Sequence, residues 1–210
     1  MYDPLLERIE AEIAARKAAM VGRDDDEALR LENSLIDFVA AAWSSVDASE
    51  FQSNWAVEGL CEHLEALARG EIRKLLVNFP PRCSKTLVSS VCFPAWIWAQ
   101  RERTALTGPQ VKFICGSYGH SLSLMNSNLC RRLILSPFYQ ERFGHRFALR
   151  DDQNNKFHYD TTAGGSRITV SVGGGMLGMG GDINIADDPH DVAGVESAAI
   201  GRRSGGGFQN

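Results

Sequence analysis

The chain has 210 residues, 44% of them hydrophobic and 23% charged, with 22 basic side chains against 26 acidic ones and a formal net charge of −4. At roughly 100–200 residues per domain, this length holds one sizeable domain with an appendage and a core that needs no staples. The mildly acidic balance excludes a protein whose whole surface binds nucleic acid, since such binding rests on neutralising phosphates, but it leaves room for a local basic groove.

Residues 1–50 read as a helical N-terminal extension. Leu5, Ile9 and Ile13 fall four apart, and after a polar break at 22–26 a second set, Leu31, Leu35, Ile36 and Val39, forms one apolar face. A third helix is expected from about 56 to 69, with Leu60, Leu64 and Leu67 on one side and Gly70 as its stop. From Gly70 the pattern changes. The apolar run 75–79, bounded by Pro80 and Pro81, suits a strand buried on both faces of a parallel sheet. A helix-like segment at 86–101 comes next, which Pro94 should kink or split. Then come a strand at 111–115, a helix at about 121–135, a turn at Ser136-Pro137, and strands at 167–172 and 183–187 around a glycine-rich stretch. Such alternation predicts an α/β fold with a mostly parallel sheet flanked by helices. Residues 196–203 begin a helix that the tail 201–210, with Gly205, Gly206 and Gly207, stops.

The five cysteines, Cys61, Cys83, Cys92, Cys115 and Cys130, are odd in number and lack Cys-x-x-Cys spacing, which argues against a disulfide framework or a zinc site. The N-terminus has neither a basic nor an apolar signal region, and no apolar run approaches the roughly 20 residues that cross a bilayer. A reducing cytosol and no membrane partner are expected.

The segment 75–86 carries the most chemistry: a strand-like run, then a loop, then Lys85-Thr86 opening an apolar helix. A helix N-terminus concentrates unpaired N–H groups on an anion, and Lys-Thr at its mouth reaches phosphate and Mg²⁺. Against the phosphate-loop pattern G-x-x-x-x-G-K-[ST], Phe79 and Ser84 stand where the glycines belong. The bland alternative is a capped surface helix. A second signal is the strand 183–187 ending in Asp187-Asp188-Pro189, which resembles a Walker B segment: the first carboxylate holds the Mg²⁺ shell and the second polarises the attacking water. Its alternative is a solvated acidic turn. The pair, about a hundred residues apart in an alternating α/β chain, points to a nucleotide hydrolase.

Other groups read as structural. Gly173 to Gly178 matches G-x-G-x-x-G but precedes a strand instead of a helix, so it is a connection and not a dinucleotide site. Asp151, Asp152, His158 and Asp160 fit a surface hairpin better than a metal cluster. His190 and Asp191 read as loop residues, Arg131, Arg132, Arg142, Arg146 and Arg150 as solvated charges, and Trp43, Trp96 and Trp98 as core.

Taken together, Asn54-Trp55, the stretch 61–66, Asn78 through Thr86, Phe93-Pro94-Ala95-Trp96, Ser117-Tyr118, 135–139 and Gly181-Asp182 through His190 resemble the large terminase subunit of tailed bacteriophages and prophages, from about residue 51 to 197. The resemblance implies a P-loop NTPase-like ATPase domain at 51–200 that drives double-stranded DNA into a capsid. It also implies ATP and Mg²⁺ as cofactors, the portal protein and small terminase subunit as partners, a homo-oligomeric ring on the portal, and the bacterial host cytoplasm as the location. Carried over, Lys85 grips the β/γ-phosphates and Thr86 holds Mg²⁺ with Asp187. Asp188 stands as the catalytic acid and Arg82 stabilises the γ-phosphoryl. Cys83 and Ser84 join the nucleotide-binding loop, and Trp55 resembles the aromatic near the adenine, although Ala56 replaces the usual His. Ser84 replaces a usual Gly; if the backbone there needs positive φ, its Cβ costs about 1–3 kcal/mol. Asn184 places an amide in a usually apolar strand, at a cost unless it finds a partner. The family's coupling segment and nuclease half do not follow residue 200, so a truncated gene product without nuclease activity is expected. The alternatives are a non-catalytic terminase remnant or a portal or small-subunit interaction module and, further off, a helicase or small-molecule kinase.

Overall fold

A computed structural model describes residues 25–80, 83–171 and 180–188. The expected first helix around Leu5, Ile9 and Ile13, the glycine-rich stretch 173–178, the expected loop residues His190 and Asp191, and the expected helix and tail after 196 lie outside them.

The chain enters as helix α1 over 25–33, then α2 at Leu35–Ala42, which runs into a single 3₁₀ turn at Trp43–Ser45. The second apolar set is thus shared by two helices. Ser34 breaks them apart by taking an extended conformation (φ −141°, ψ 110°), and its hydroxyl accepts the Asp37 N–H as the α2 N-cap. Leu31, Leu35 and Val39 are fully buried on the face they share. Helix α3, Trp55–Ala68, is capped by the Asn54 side chain, which accepts from the Ala56 and Val57 N–H groups. It ends where Gly70 takes φ +76° while the Gly70 and Glu71 N–H groups bond back to Leu67 and Ala66.

Residues 74–80 take no regular secondary structure, and the expected strand 75–79 is not part of the sheet. Leu75, Val77 and Phe79 lean on the core, whereas Leu76 is 87% exposed. An apolar run specifies burial, but a strand also needs a neighbour's N–H and C=O groups, and no described segment supplies them. The next helix is the central one. Its π-helical stretch Leu87–Cys92 passes into α4 at Phe93–Trp98, and residues 91–99 are buried throughout. At Pro94, where a kink or split was expected, the segment changes form, from the π-helical stretch ending at Cys92 to α4 beginning at Phe93. The wider π turn comes just before it, with the Phe93 N–H bonding Val88 O five residues back, and makes room for the ring. Trp96 and Trp98 fill the core as expected, and each indole N–H is satisfied, by Leu31 O and Val111 O respectively, at 2.9 Å.

After β1 (Lys112–Ser117) come α5 (His120–Ile134), α6 (Pro137–Phe143), β2 (Leu149–Asn154), β3 (His158–Thr161), β4 (Ser166–Ser171) and β5 (Ile183–Asp187). Ser136-Pro137 is a helix start and not only a turn: the serine hydroxyl accepts the Tyr139 N–H, and proline sits in the first turn, where its missing N–H costs nothing. The sheet order is β2-β3-β4-β1-β5. Strand β1 is parallel to β4 and to β5, while β3 is antiparallel to β2 and to β4. The fold is therefore mixed α/β, and the sheet is half parallel where a mostly parallel one was expected. The acidic hairpin, correctly placed at the surface, adds two antiparallel pairings at one edge, and 75–79 adds none at the other.

Strand β5 is the opposite edge, so Asn184 is exposed and its amide carries no burial cost. Arg167 is fully buried on β4 among Cys115, Cys130 and Tyr159. Among the described residues no helix is long and apolar enough to cross a membrane.

Candidate functional site

Strands β1 and β5 run parallel and end level, with Ser117 opposite Asp187, so the sheet delivers an acidic pair at its C-terminal edge. Asp187 closes β5 and is 5% exposed; Asp188 leaves the strand at φ +44° while the Tyr118 N–H donates to its carbonyl at 3.3 Å. Facing them is the start of the central helix, where Lys85 and Thr86 come directly after Ser84 at φ +58°. The Lys85 ammonium donates to Asp188 Oδ1 at 2.5 Å and lies 3.4 Å from Asp187 Oδ1. The Thr86 hydroxyl donates to Asp187 Oδ2 at 2.7 Å. Residues 101 to 103 positions apart in sequence thus meet in one constellation.

Its electrostatics derive from the geometry. Burial works to lower the Lys85 pKa, but the hydrogen bond to Asp188 and the charges of both aspartates outweigh it and hold the ammonium above the ordinary lysine range. Lys85 is therefore a permanent cation at any physiological pH. Backbone strain concentrates here as well: among the described residues, Ser84 and Asp188 are the two non-glycine positions with positive φ, and they sit on opposite sides of the same contact. Asp tolerates this region; Ser has no such ease. The conditional cost attached to Ser84 in the sequence thus applies. Ser84→Gly is expected to raise stability by about 0.5–1 kcal/mol, the relieved strain being partly offset by the added freedom of glycine in the unfolded chain. Thermal unfolding of the two proteins checks this, and a lower midpoint for the glycine variant would show that the serine side chain contributes more than its strain costs.

A cavity of about 490 Å³ opens at this constellation, lined by Cys83, Ser84, Lys85, Thr86, Leu87 and Asp188 together with Trp43, Asp47, Ser49, Phe79 and Pro80. Its size suits a nucleotide-sized ligand. The part of this lining given by Trp43, Asp47 and Ser49 was not visible in the sequence. Trp43 is 6% exposed, as a core residue should be, yet its ring also borders the cavity, and its indole N–H is held by Ser49 O at 3.0 Å. Asp47 accepts both the hydroxyl and the N–H of Ser49, which hold its carboxyl below the usual range. An Asp-x-Ser turn signals local geometry only, so no sequence pattern marks these residues as a wall.

Trp55 lies elsewhere. It is 84% exposed at the start of α3 and lines a neighbouring apolar cavity of about 250 Å³ with His63, Leu76 and Phe79; only Phe79 borders both. Cys83 borders the Lys85 cavity, while the four other cysteines are buried, with desolvation pushing the pKa of Cys61 to about 12 and that of Cys115 to about 11. Arg82 lies outside the described residues.

Thr86 Oγ1 and Asp187 Oδ2 form an adjacent pair of hard oxygen donors, one hydroxyl and one buried carboxylate. Mg²⁺ characteristically takes one or two carboxylates and completes its shell with water and phosphate oxygens, and this donor set fits that habit. Among the described residues no group of three or more His, Cys, Asp or Glu is placed to hold a metal by protein ligands alone.

No protein-family model and no curated protein matches this chain.

Proposed function

We propose that this protein is a P-loop-type nucleotide hydrolase, the ATPase part of a phage-type DNA-packaging motor. The observation that carries the reading is the convergence of Lys85 and Thr86, at a helix start, on Asp187 and Asp188, at a strand end, beneath a cavity large enough for a nucleotide. In this reading Lys85 takes the β/γ-phosphates, and the N–H groups of the loop and first helical turn add to it. Thr86 and Asp187 hold Mg²⁺, which when bound neutralises phosphate charge as it develops. Asp188, at the exposed mouth, orients and accepts a proton from the attacking water. Such chemistry asks the protein mainly for positioning and charge neutralisation, and the two parallel strands with their common edge supply a rigid base for both.

Coupling to double-stranded DNA, docking on a portal and a small terminase subunit, a homo-oligomeric ring, and residence in a bacterial cytoplasm all belong to this proposal and rest on the motif resemblance. Titration calorimetry with a non-hydrolysable ATP analogue and Mg²⁺ tests the core of it. Saturable one-site binding is the expected result, and no heat above dilution would reject it.

A second reading, a non-catalytic docking module, is favoured by one observation: Trp55 and Leu76 are 84% and 87% exposed beside one apolar cavity, a surface suited to a partner side chain. Binding of the nucleotide analogue with no measurable turnover would favour it.

A further inference from the structure

We infer that Lys85 and Asp188 form a latch that keeps nucleotide out of the site unless a divalent cation enters with it. This rests on the nucleotide reading proposed above and concerns the regulation of that same site.

An ammonium has three N–H donors. In Lys85 one is committed to Asp188 Oδ1 at 2.5 Å, and a second carboxylate, Asp187, stands at 3.4 Å. The group that must grip phosphate is therefore occupied, and phosphate has to displace a carboxylate to reach it. The two aspartates are not equivalent in this exchange. Asp187 is pinned, since its side chain is only 4% exposed and its other oxygen accepts the Thr86 hydroxyl. The Asp188 side chain is 69% exposed and stands past the end of β5 on a backbone at φ +44°. Asp188 is the partner free to leave, and Lys85 the partner fixed to the helix.

Charge decides when it leaves. Among the described residues lining the cavity, Lys85 is the one cation, against Asp47 and Asp188, with Asp187 immediately behind them. A metal-free triphosphate meets this wall as a like charge and must also compete with Asp188 for the lysine. When a cation accompanies the phosphates, Asp187 and Asp188 gain a new counter-charge and Lys85 is released to the phosphate. Occupancy by metal and by nucleotide is thereby coupled through one lysine, and the coupling is reciprocal.

The test is titration calorimetry on the full chain with a non-hydrolysable ATP analogue, in excess EDTA and in excess Mg²⁺. Wild type is expected to bind more weakly in EDTA by about 10-fold or more, and Asp188→Asn to recover most of that factor by binding more tightly in EDTA. Asparagine accepts the same positive φ, and Asp188→Gly, which accepts it equally, is expected to behave alike. Asp47→Asn removes one negative charge from the same cavity without freeing Lys85, so it is expected to recover little. An EDTA affinity unmoved by Asp188→Asn and Asp188→Gly overturns the latch. So does an equal gain from Asp47→Asn, which would reduce the effect to net charge. Absence of binding by every protein in both buffers would instead reject the nucleotide reading itself, and the latch with it.

Discussion

Lys85→Ala is expected, on the proposed ATPase reading, to lower ATP hydrolysis by about 10²–10³-fold, the loss typical when one preorganised donor to a transition-state charge is deleted, while leaving the protein folded. The loss of activity rests on the charge Lys85 brings: among the described residues lining the cavity it stands against Asp47 and Asp188, with Asp187 behind them, and the substitution removes a cation placed to meet the phosphates. The retained fold rests on where the side chain sits. Its hydrogen-bonded partner Asp188 is 69% exposed, and ion pairs with one foot in solvent contribute little to stability, while the buried Asp187, 3.4 Å from the ammonium, keeps the Thr86 hydroxyl as a donor. The helix behind it is held by a buried apolar face that includes Val88, Val91 and Cys92, none of which depends on the lysine. Phosphate release measured on matched preparations, alongside circular dichroism and thermal unfolding, checks activity and fold together. Equal turnover by the two proteins would remove Lys85 from the chemistry; a variant that fails to fold would show that the Lys85–Asp188 contact is structural.

Glu32→Ala is expected to destabilise the protein by about 3–5 kcal/mol, because it strands a buried cation. Glu32 sits on α1 and is 6% exposed. Its carboxylate takes the Arg146 guanidinium at 2.5 Å and the Arg101 N–H at 3.0 Å, with the Arg101 guanidinium at 3.7 Å. The Arg146 side chain is only 7% exposed and also donates to Ala99 O, while the Gln100 amide donates to the Glu32 carbonyl at 3.0 Å. One carboxylate therefore ties the N-terminal helices to the end of the central helix and to the turn after α6. At roughly 2–4 °C per kcal/mol for a chain of this size, the thermal midpoint should fall by about 10 °C. Glu32→Gln, which keeps the acceptor but not the charge, should lose less. A Glu32→Ala midpoint close to wild type would mean that Arg146 finds another partner at no cost. The burial of Arg146 also corrects its expected place among the solvated charges: a single arginine carries no pattern that tells a buried ion pair from a surface one.

The same distinction between local and non-local information runs through the fold. The α3 helix was legible in the sequence, since its limits depend on groups within a few residues of each end: Asn54 caps the first turn, and Gly70 supplies the left-handed residue that closes the last. Helix α5 and strands β1, β4 and β5 fall within a residue or two of their expected positions for the same kind of reason. Helix α6 differs from the expected turn even though its signal is present, because Ser136-Pro137 is a good turn and an equally good N-cap with proline behind it. The choice between them lies with Tyr139 and Phe143, whose rings bury against Phe38 and Phe147 once the segment is helical.

Sequence alone picked out two separated segments as the candidate site: a Lys-Thr at a helix start and an Asp-Asp at a strand end. Tertiary structure decided that these segments touch, that Trp43 and Asp47 border the same cavity while Trp55 does not, that 75–79 stays outside the sheet, and that half the described strand pairings are antiparallel. Hydrogen-bonded turns, caps and apolar periodicity are set by neighbours along the chain. Strand pairing and cavity walls join residues far apart in the chain, and no local pattern specifies which distant partner fills a backbone's open bonds or covers a ring.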